Sequence, residues 1–138
     1  GGDIVDDVPT GSGLSNQVTL GFDERGQPLV SYLHYDRAGN TQLYYARPMA
    51  NGWEVVQVSD WHDRWELKGY GTIQALVRQG PVVERGGKLL QEVRHWKAGR
   101  FDYVLDPETL RPAGRQPAGR PLPVNVGTFT PCWDRQLV

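Results

Sequence analysis

The sequence predicts an all-β chain made of two antiparallel units that resemble consecutive blades of a β-propeller. Three observations lead to this prediction. Short extended runs are separated by glycine turns, a stretch of the first half is repeated in the second half, and no segment shows a sustained helical apolar period. The 17 glycines and 10 prolines among 138 residues are also typical of a turn-rich β protein.

The repeat is visible when "ERGQPLVSYLHYDRAGN" (24–40) is placed above "ERGGKLLQEVRHWKAGR" (84–100). The two stretches align without a gap, and both glycine turns fall in register. The positions that meet identical residues are Glu24, Arg25, Gly26, Leu29, Ala38 and Gly39. This register predicts that 27–36 and 88–96 are equivalent strands of consecutive sheets.

The first unit, residues 14–61, is predicted to contain four strands. Turns at "ERG", "RAGN" and "ANG" separate them, and Gly26 in the first turn is free to adopt positive φ. The predicted strands are 17–23, 27–36, 41–49 and 53–61.

The second unit, residues 71–112, follows a linker loop at 62–70. Its predicted strands are 71–79, 88–96 and 100–106. Residues 107–123, "PETLRPAGRQPAGRPLP", contain too much proline for a central strand. Residues 113–138 are therefore interpreted as a proline-rich tail or the start of a further unit.

A repeated four-stranded unit indicates propeller blades, and a propeller needs several blades to close its ring. Two units in 138 residues predict that the chain is part of a larger propeller, or is completed by another chain. A small β-sandwich or barrel is the structural alternative.

Composition excludes some classes of function. Fifteen basic and sixteen acidic residues give a net charge of −1, so no global attraction for nucleic acid or an anionic membrane is expected. No membrane span and no signal peptide are visible, and a signal for secretion would have to lie outside this segment. The single Cys132 cannot form an internal disulfide bond. No cofactor or metal is expected. Asp60, His62 and Asp63 resemble part of a metal site, but they are closely spaced and have no distant partner.

The string "GFDERGQPLVSYLHYDRAGNTQLYYARPMANGWEVVQVSDW" resembles a blade of the BNR-repeat-containing family, and "FDYVLDPETLRP" resembles a late-blade segment of such proteins. The resemblance covers about residues 14–112 and implies a seven-bladed β-propeller. The family includes ulvan lyases, which cleave acidic polysaccharides. The sialidase Asp-box, Ser-x-Asp-x-Gly-x-x-Trp, is absent, which argues against a sialidase-like hydrolase.

The resemblance implies β-elimination next to a uronic acid, in a polysaccharide with or without sulfate groups. A base removes the proton at C5, a cation stabilises the charge on the carboxylate, and an acid protonates the leaving oxygen. Histidine, tyrosine and arginine suit these tasks.

His34 is the first candidate for proton transfer. It lies two residues after Tyr32 on a predicted strand, so both side chains should share one face of the sheet. Tyr32 and Tyr35 are candidates for substrate binding. The alternative for His34 is a half-buried ring that is bonded to the neighbouring backbone.

The motif "RHW" offers Arg94 as a carboxylate clamp, His95 as a catalytic ring and Trp96 as a sugar-binding indole. Arg94 aligns with His34 in the repeat, so we expect the two residues to line one concave surface. The alternative is a surface ion pair of Arg94 with Glu92 or with another nearby acid.

The linker "SDWHDRWELKGYG" (59–71) has the composition of a binding loop. Trp61 and Trp65 are candidates for stacking on sugars, Arg64 for a sulfate or carboxylate, and Tyr70 for a catalytic acid. The alternative is that the tryptophans fill the gap between the blades.

Three functions follow, and the sequence does not decide among them. They are a lyase for acidic polysaccharide, a non-catalytic glycan-binding propeller, and a structural or protein-binding propeller. Expected partners are an acidic polysaccharide and either the remaining blades or a second copy of the chain. The family resemblance alone implies a secreted or periplasmic protein.

Overall fold

The computed structural model describes residues 4–67 and 73–118. Within these two ranges the chain forms nine β-strands and no helix, which confirms the all-β prediction. The strands make two antiparallel sheets, one of four strands and one of five, in agreement with two blade-like units. No helix in the described residues is long and apolar enough to cross a membrane.

The first sheet is a meander in which each strand pairs with the next one in the chain. Gly26 (φ 77°) and Gly39 (φ 87°) occupy the turns before and after its second strand. Both adopt the left-handed conformation, as predicted for Gly26 in its tight turn. The four strands are β1 (Thr19–Phe22), β2 (Pro28–Tyr35), β3 (Thr41–Met49) and β4 (Gly52–Gln57).

The second sheet has the strand order β5-β7-β8-β9, and the short strand β6 also pairs with β7. Gly86 (φ 58°) and Gly99 (φ 80°) adopt the left-handed turn conformation, like their counterparts in the first unit. The strands are β5 (Val77–Gln79), β6 (Val83–Arg85), β7 (Lys88–His95), β8 (Gly99–Leu105) and β9 (Pro112–Pro117).

Strand β9 corrects the interpretation of this region as a proline-rich tail. Its two prolines stand at its first and last positions, Pro112 and Pro117, and within the described residues β9 pairs only with β8 at the edge of the sheet. A proline is tolerated at a strand end or on an edge, where its missing N–H breaks no ladder hydrogen bond. The second sheet therefore completes its four-strand path with a segment that the sequence reading left out.

The two sheets pack face to face around one apolar core. The core takes its side chains from alternate positions of β2 and β3 and of β7 and β8, as the two-residue period of strands requires. The buried residues shared by the sheets include Leu33, Leu43, Tyr45, Val93, Phe101 and Tyr103.

The remaining alternate positions point away from this core, and we call them the outer face of each sheet. Leu33 and Val93, which align in the repeat, both point into the core. Their neighbours His34 and Arg94 therefore lie on the two outer faces, which point in opposite directions.

The segment after β4 closes one end of the core. Buried Gln42 accepts hydrogen bonds from Ser59 Oγ (2.6 Å) and the Trp61 backbone N–H (2.9 Å), and it donates to the Trp61 carbonyl (2.7 Å). Thr41 Oγ1 accepts from the Trp65 N–H at 2.8 Å. These bonds fix the segment across the ends of β2 and β3.

Candidate functional site

The expected proton-transfer residues form an aromatic cluster on the outer face of the first sheet. The ring of His34 stacks on Tyr44 with centroids 3.7 Å apart and planes 3° apart, and Tyr32 lies beside both rings, with its centroid 5.9 Å from each. Tyr32 and His34 occupy alternate positions of β2, as predicted. Tyr44 is their neighbour on β3, directly opposite Tyr32.

Asp6, from the segment before β1, completes this cluster. Its Oδ2 accepts a hydrogen bond from the Tyr32 hydroxyl at 2.7 Å and lies 3.6 Å from His34 Nε2. His34 Nδ1 is 2.8 Å from the carbonyl oxygen of Tyr35. A carbonyl only accepts, so Nδ1 carries a proton, and Nε2 is the nitrogen that faces the Asp6 carboxylate.

The electrostatics of the cluster favour neutral tyrosines. Burial, followed by the hydrogen bond and charge of Asp6, raises the pKa of Tyr32 far above its ordinary value. Burial, followed by the charges of Asp36 and Asp6, raises the pKa of Tyr44 to about 12. Neither phenol is a proton-abstracting base near neutral pH, because a base must reach its deprotonated form there.

Arg94, His95 and Trp96 lie at the end of β7, away from this cluster. Arg94 is exposed on the outer face of the second sheet, and Trp96 is half-buried. The expectation that His34 and Arg94 line one concave surface is not met, because the sheets present their aligned faces to each other. Aligned positions on the outer faces therefore diverge.

His95 is buried, with 3% of its surface exposed, between the indoles of Trp61 and Trp96. Its Nδ1 accepts hydrogen bonds from the backbone N–H groups of Lys97 (3.1 Å) and Ala98 (3.2 Å), so the proton is on Nε2. Burial lowers the pKa of His95, and the opposing effect of nearby Asp63 is smaller. Nε2 has no hydrogen-bond partner among the described residues.

A cavity of about 590 Å³ opens beside the end of β7. Arg78 on β5 stands directly opposite Arg94 and lines this cavity together with Arg94 and Trp96. The sequence reading missed Arg78. The alternation of side chains along a strand could have identified it. In "LVRQ", as in "EVRHW", an arginine follows a valine, so a buried valine places the arginine on the opposite face of the strand.

The linker residues are structural in this arrangement. Trp61 and Trp65 are 6% and 4% exposed and belong to the core between the sheets, so their rings offer no open face to a sugar. This corrects the expectation of sugar stacking and agrees with the alternative that these rings fill the gap between the units. Residue Tyr70 lies outside the described residues.

Tyr35 and Arg64 contact each other at the end of the first sheet that the linker covers. The Arg64 guanidinium carbon lies 4.1 Å from the centre of the Tyr35 ring, and Arg64 forms an ion pair with Glu66 at 2.8 Å. The Tyr35 hydroxyl donates to the Trp65 carbonyl (2.8 Å) and accepts from the Leu67 N–H (3.1 Å). Tyr35 therefore anchors the linker.

A larger cleft of about 980 Å³ lies between the turns at the other end of the sheets, away from every residue proposed from the sequence. Its polar groups already form hydrogen bonds and ion pairs within the surrounding strands and turns. Arg47 pairs with Glu54 at 2.7 Å, and Asp23 Oδ1 accepts the N–H groups of Arg25 and Gln27. No group of three metal-ligating side chains occurs among the residues described.

The structure thus divides the predicted site into His34 with Tyr32 on one outer face, and Arg94 with Trp96 beside the cavity on the other. The assignment of these residues to catalysis or substrate binding stays a prediction. No curated protein and no solved structure matches the chain. Residues 1–61 match the family model described as BNR repeat-containing family member, so this part of the chain is similar to BNR-repeat proteins.

Proposed function

We propose that the chain is a glycan-binding segment of a β-propeller, and that its described residues recognise carbohydrate without cleaving it. The proposal is supported by the BNR-repeat match over residues 1–61 and by the two blade-like sheets. The observation that carries it is the cavity beside β7, where the partly buried Trp96 stands next to the exposed Arg78 and Arg94.

An indole and a guanidinium suit a sugar for complementary reasons. The flat indole packs against the apolar C–H face of a pyranose ring, and guanidinium N–H groups donate to hydroxyl or acidic oxygens. The backbone N–H of Trp96 donates to the Leu76 carbonyl at 2.9 Å, which holds the wall of the cavity in place. Pockets that combine apolar walls with a few polar groups are the usual form of small-ligand sites.

The geometry favours binding over the β-elimination that the resemblance to ulvan lyases implies. Elimination needs a base, an acid and a carboxylate clamp around one sugar. No hydrogen bond or ion pair in the described part of the chain links an arginine to the cluster of Tyr32, His34 and Tyr44. The clamp candidate Arg94 lies on the opposite outer face.

The test uses the full chain and a panel of neutral, uronic-acid and sulfated polysaccharides. Binding is measured by isothermal titration calorimetry, and cleavage by the near-ultraviolet absorbance of the unsaturated uronate. We expect binding to at least one polysaccharide without formation of the chromophore. Trp96→Ala should weaken that binding, whereas Trp53→Ala, which removes an indole packed on the other sheet, should not.

Formation of the chromophore at a sustained rate would replace this proposal with the lyase. If the chain binds no member of the panel, glycan binding is ruled out and the remaining hypothesis is a structural or protein-binding propeller.

A further inference from the structure

We infer that Arg78 and Arg94 form a subsite that binds one anionic group of the glycan, either a uronate carboxylate or a sulfate ester. This inference rests on the proposed function and adds the class of ligand. It begins from the register of the second sheet, in which Arg78 is the direct partner of Arg94, and Arg94 is the direct partner of Arg100. Three arginines therefore form one row across β5, β7 and β8 on the outer face.

Such a row is unfavourable unless negative charge lies nearby. Side chains directly opposite each other on antiparallel strands have Cβ atoms about 5 Å apart, and like charges at that distance destabilise the pair. Arg100 resolves the conflict within the sheet, since its Nε and Nη2 donate to the two carboxylate oxygens of Glu92 at 2.9 and 3.2 Å. Only the third arginine of the row is neutralised in this way.

Arg78 and Arg94 make no hydrogen bond or ion pair with any residue that the structure describes, and both are exposed. The alternative from the sequence was an ion pair of Arg94 with Glu92 or a nearby acid. Glu92 instead pairs with Arg100, and no acid among the described residues forms an ion pair with Arg94. Two guanidinium groups therefore face the same cavity with all their donors available. A guanidinium binds a planar or tetrahedral oxyanion with parallel N–H bonds, so two of them can share one anion.

The rest of the cavity fits a sugar that carries the anion. Trp96 forms an apolar part of its wall, and one face of the indole is held in place by stacking on the buried His95 ring, with centroids 4.2 Å apart. The cavity volume of about 590 Å³ is within the range of small-ligand pockets. A uronate or sulfated sugar would place its ring against the indole and its charge between the arginines.

The test compares charged ligands with neutral ones of the same backbone. Polygalacturonate is titrated against its fully methyl-esterified form, and dextran sulfate against dextran. We expect the full chain to bind at least one charged ligand and to bind its neutral counterpart about tenfold more weakly or not at all. The first pair reports on a carboxylate and the second on a sulfate, so the two sources of the anion are separated.

Arg78→Ala and Arg94→Ala should each weaken binding of the charged ligand by about tenfold, as expected for the loss of one charge-assisted hydrogen bond. Arg85→Ala is the matched control, because Arg85 is an exposed arginine at the far end of the same sheet and does not line the cavity. It should leave the affinity within about twofold, since a distant exposed charge is screened by salt.

Arg94→Glu separates loss of the subsite from loss of the fold. The new carboxylate would lie between Arg78 and Arg100, so the melting temperature should stay equal or rise while binding of the charged ligand is lost. Unchanged binding in both alanine variants, or equal binding of charged and neutral ligands, would overturn the subsite while the glycan-binding function stands. Absence of binding to all four polymers would instead overturn the proposed function, and the subsite with it.

Discussion

The hydroxyl of Tyr45 in the first sheet donates a hydrogen bond to the side-chain oxygen of Gln91 in the second sheet. Both side chains are fully buried. Gln91 Nε2 in turn donates to Ser31 Oγ (2.8 Å) and to the Gly80 carbonyl (2.8 Å). The amide of Gln91 is thus satisfied at both ends, and it joins the two sheets through a polar link inside an apolar core.

The first prediction is that Tyr45→Phe destabilises the fold by removing this link. Without the hydroxyl, Gln91 Oε1 would be buried with no donor, which costs about 1–3 kcal/mol. Urea unfolding monitored by tryptophan fluorescence measures the change. The matched control is Tyr44→Phe, on the adjacent position of the same strand. The Tyr44 hydroxyl makes no hydrogen bond with described residues, so its loss should change the free energy of unfolding by less than about 0.5 kcal/mol. Equal losses in both variants would contradict a specific role for the link.

The second prediction concerns the close approach of β1 to the second sheet. A Cβ atom at Gly21 would lie 2.2 Å from the Val82 carbonyl oxygen, an approach that no side chain can make. Gly21→Ala should therefore push the sheets apart and cost about 1–3 kcal/mol, as overpacking of a core does. Gly114 is the control, because it is also a strand glycine but has no atom within 4 Å of the same position. Gly114→Ala should be neutral or slightly stabilising. The prediction is wrong if thermal unfolding shows the same melting temperature for both variants.

Much of the local structure could be predicted from the sequence, because it depends on local rules. Glycines repeated at Gly26 and Gly86 specify left-handed turns, and each does adopt positive φ. Alternation predicts that Tyr44 and Tyr45 point to opposite faces, and Tyr45 is indeed in the core between the sheets, whereas Tyr44 lies in the outer cluster.

The site was harder to predict, because its contacts are long-range. The alignment of His34 with Arg94 does not predict how the two sheets are oriented relative to each other. Because the sheets pack face to face, the two side chains point in opposite directions. Asp6 reaches Tyr32 across 26 positions in sequence, and no local pattern marks it as a partner. Trp61 is of a residue type that often binds sugars, but the hydrogen bonds between Gln42 and the Trp61 backbone hold it in the core.

The third prediction is a loss of stability in mild acid caused by His95. Burial holds its folded-state pKa below the ordinary histidine value of 6.5. At a pH between the lowered folded-state pKa and the unfolded-state pKa of 6.5, the unfolded chain binds more protons than the folded chain. The free energy of unfolding therefore falls as the pH drops below 6.5. Urea unfolding across this range should show the slope in the wild type and a reduced slope in His95→Gln.

Tyr45→Phe provides the comparison for this experiment. It should lower the free energy of unfolding at every pH and keep the slope, because burial raises the pKa of Tyr45 well above 10 and it does not titrate in mild acid. A wild-type slope that persists in His95→Gln would assign the effect to another group.

The last prediction concerns the outer face of the first sheet, which is apolar, covered at Tyr32 and Ala46, and open along β1. Leu20, Val30, Ala46 and Val55 form one row across its four strands. Leu20 is 56% exposed and Phe22, on the same face of β1, is 51% exposed. Exposed apolar side chains on an edge strand favour association, so we expect the chain to self-associate in a concentration-dependent way, and more strongly in sulfate.

Sedimentation velocity over a range of protein concentrations measures this association. Leu20→Glu combined with Phe22→Glu should shift the chain toward the monomer, because each carboxylate would lose its hydration on contact with another apolar face. Both side chains point away from the core, so the melting temperature of the monomer should change little. The control is Gln116→Glu, which adds a carboxylate to the polar outer face of the second sheet and should leave the association unchanged. If the wild type sediments as a monomer at every concentration, the small segment formed by Val5 and Val8 over Val30 and Trp53 already covers enough of this face to keep copies apart.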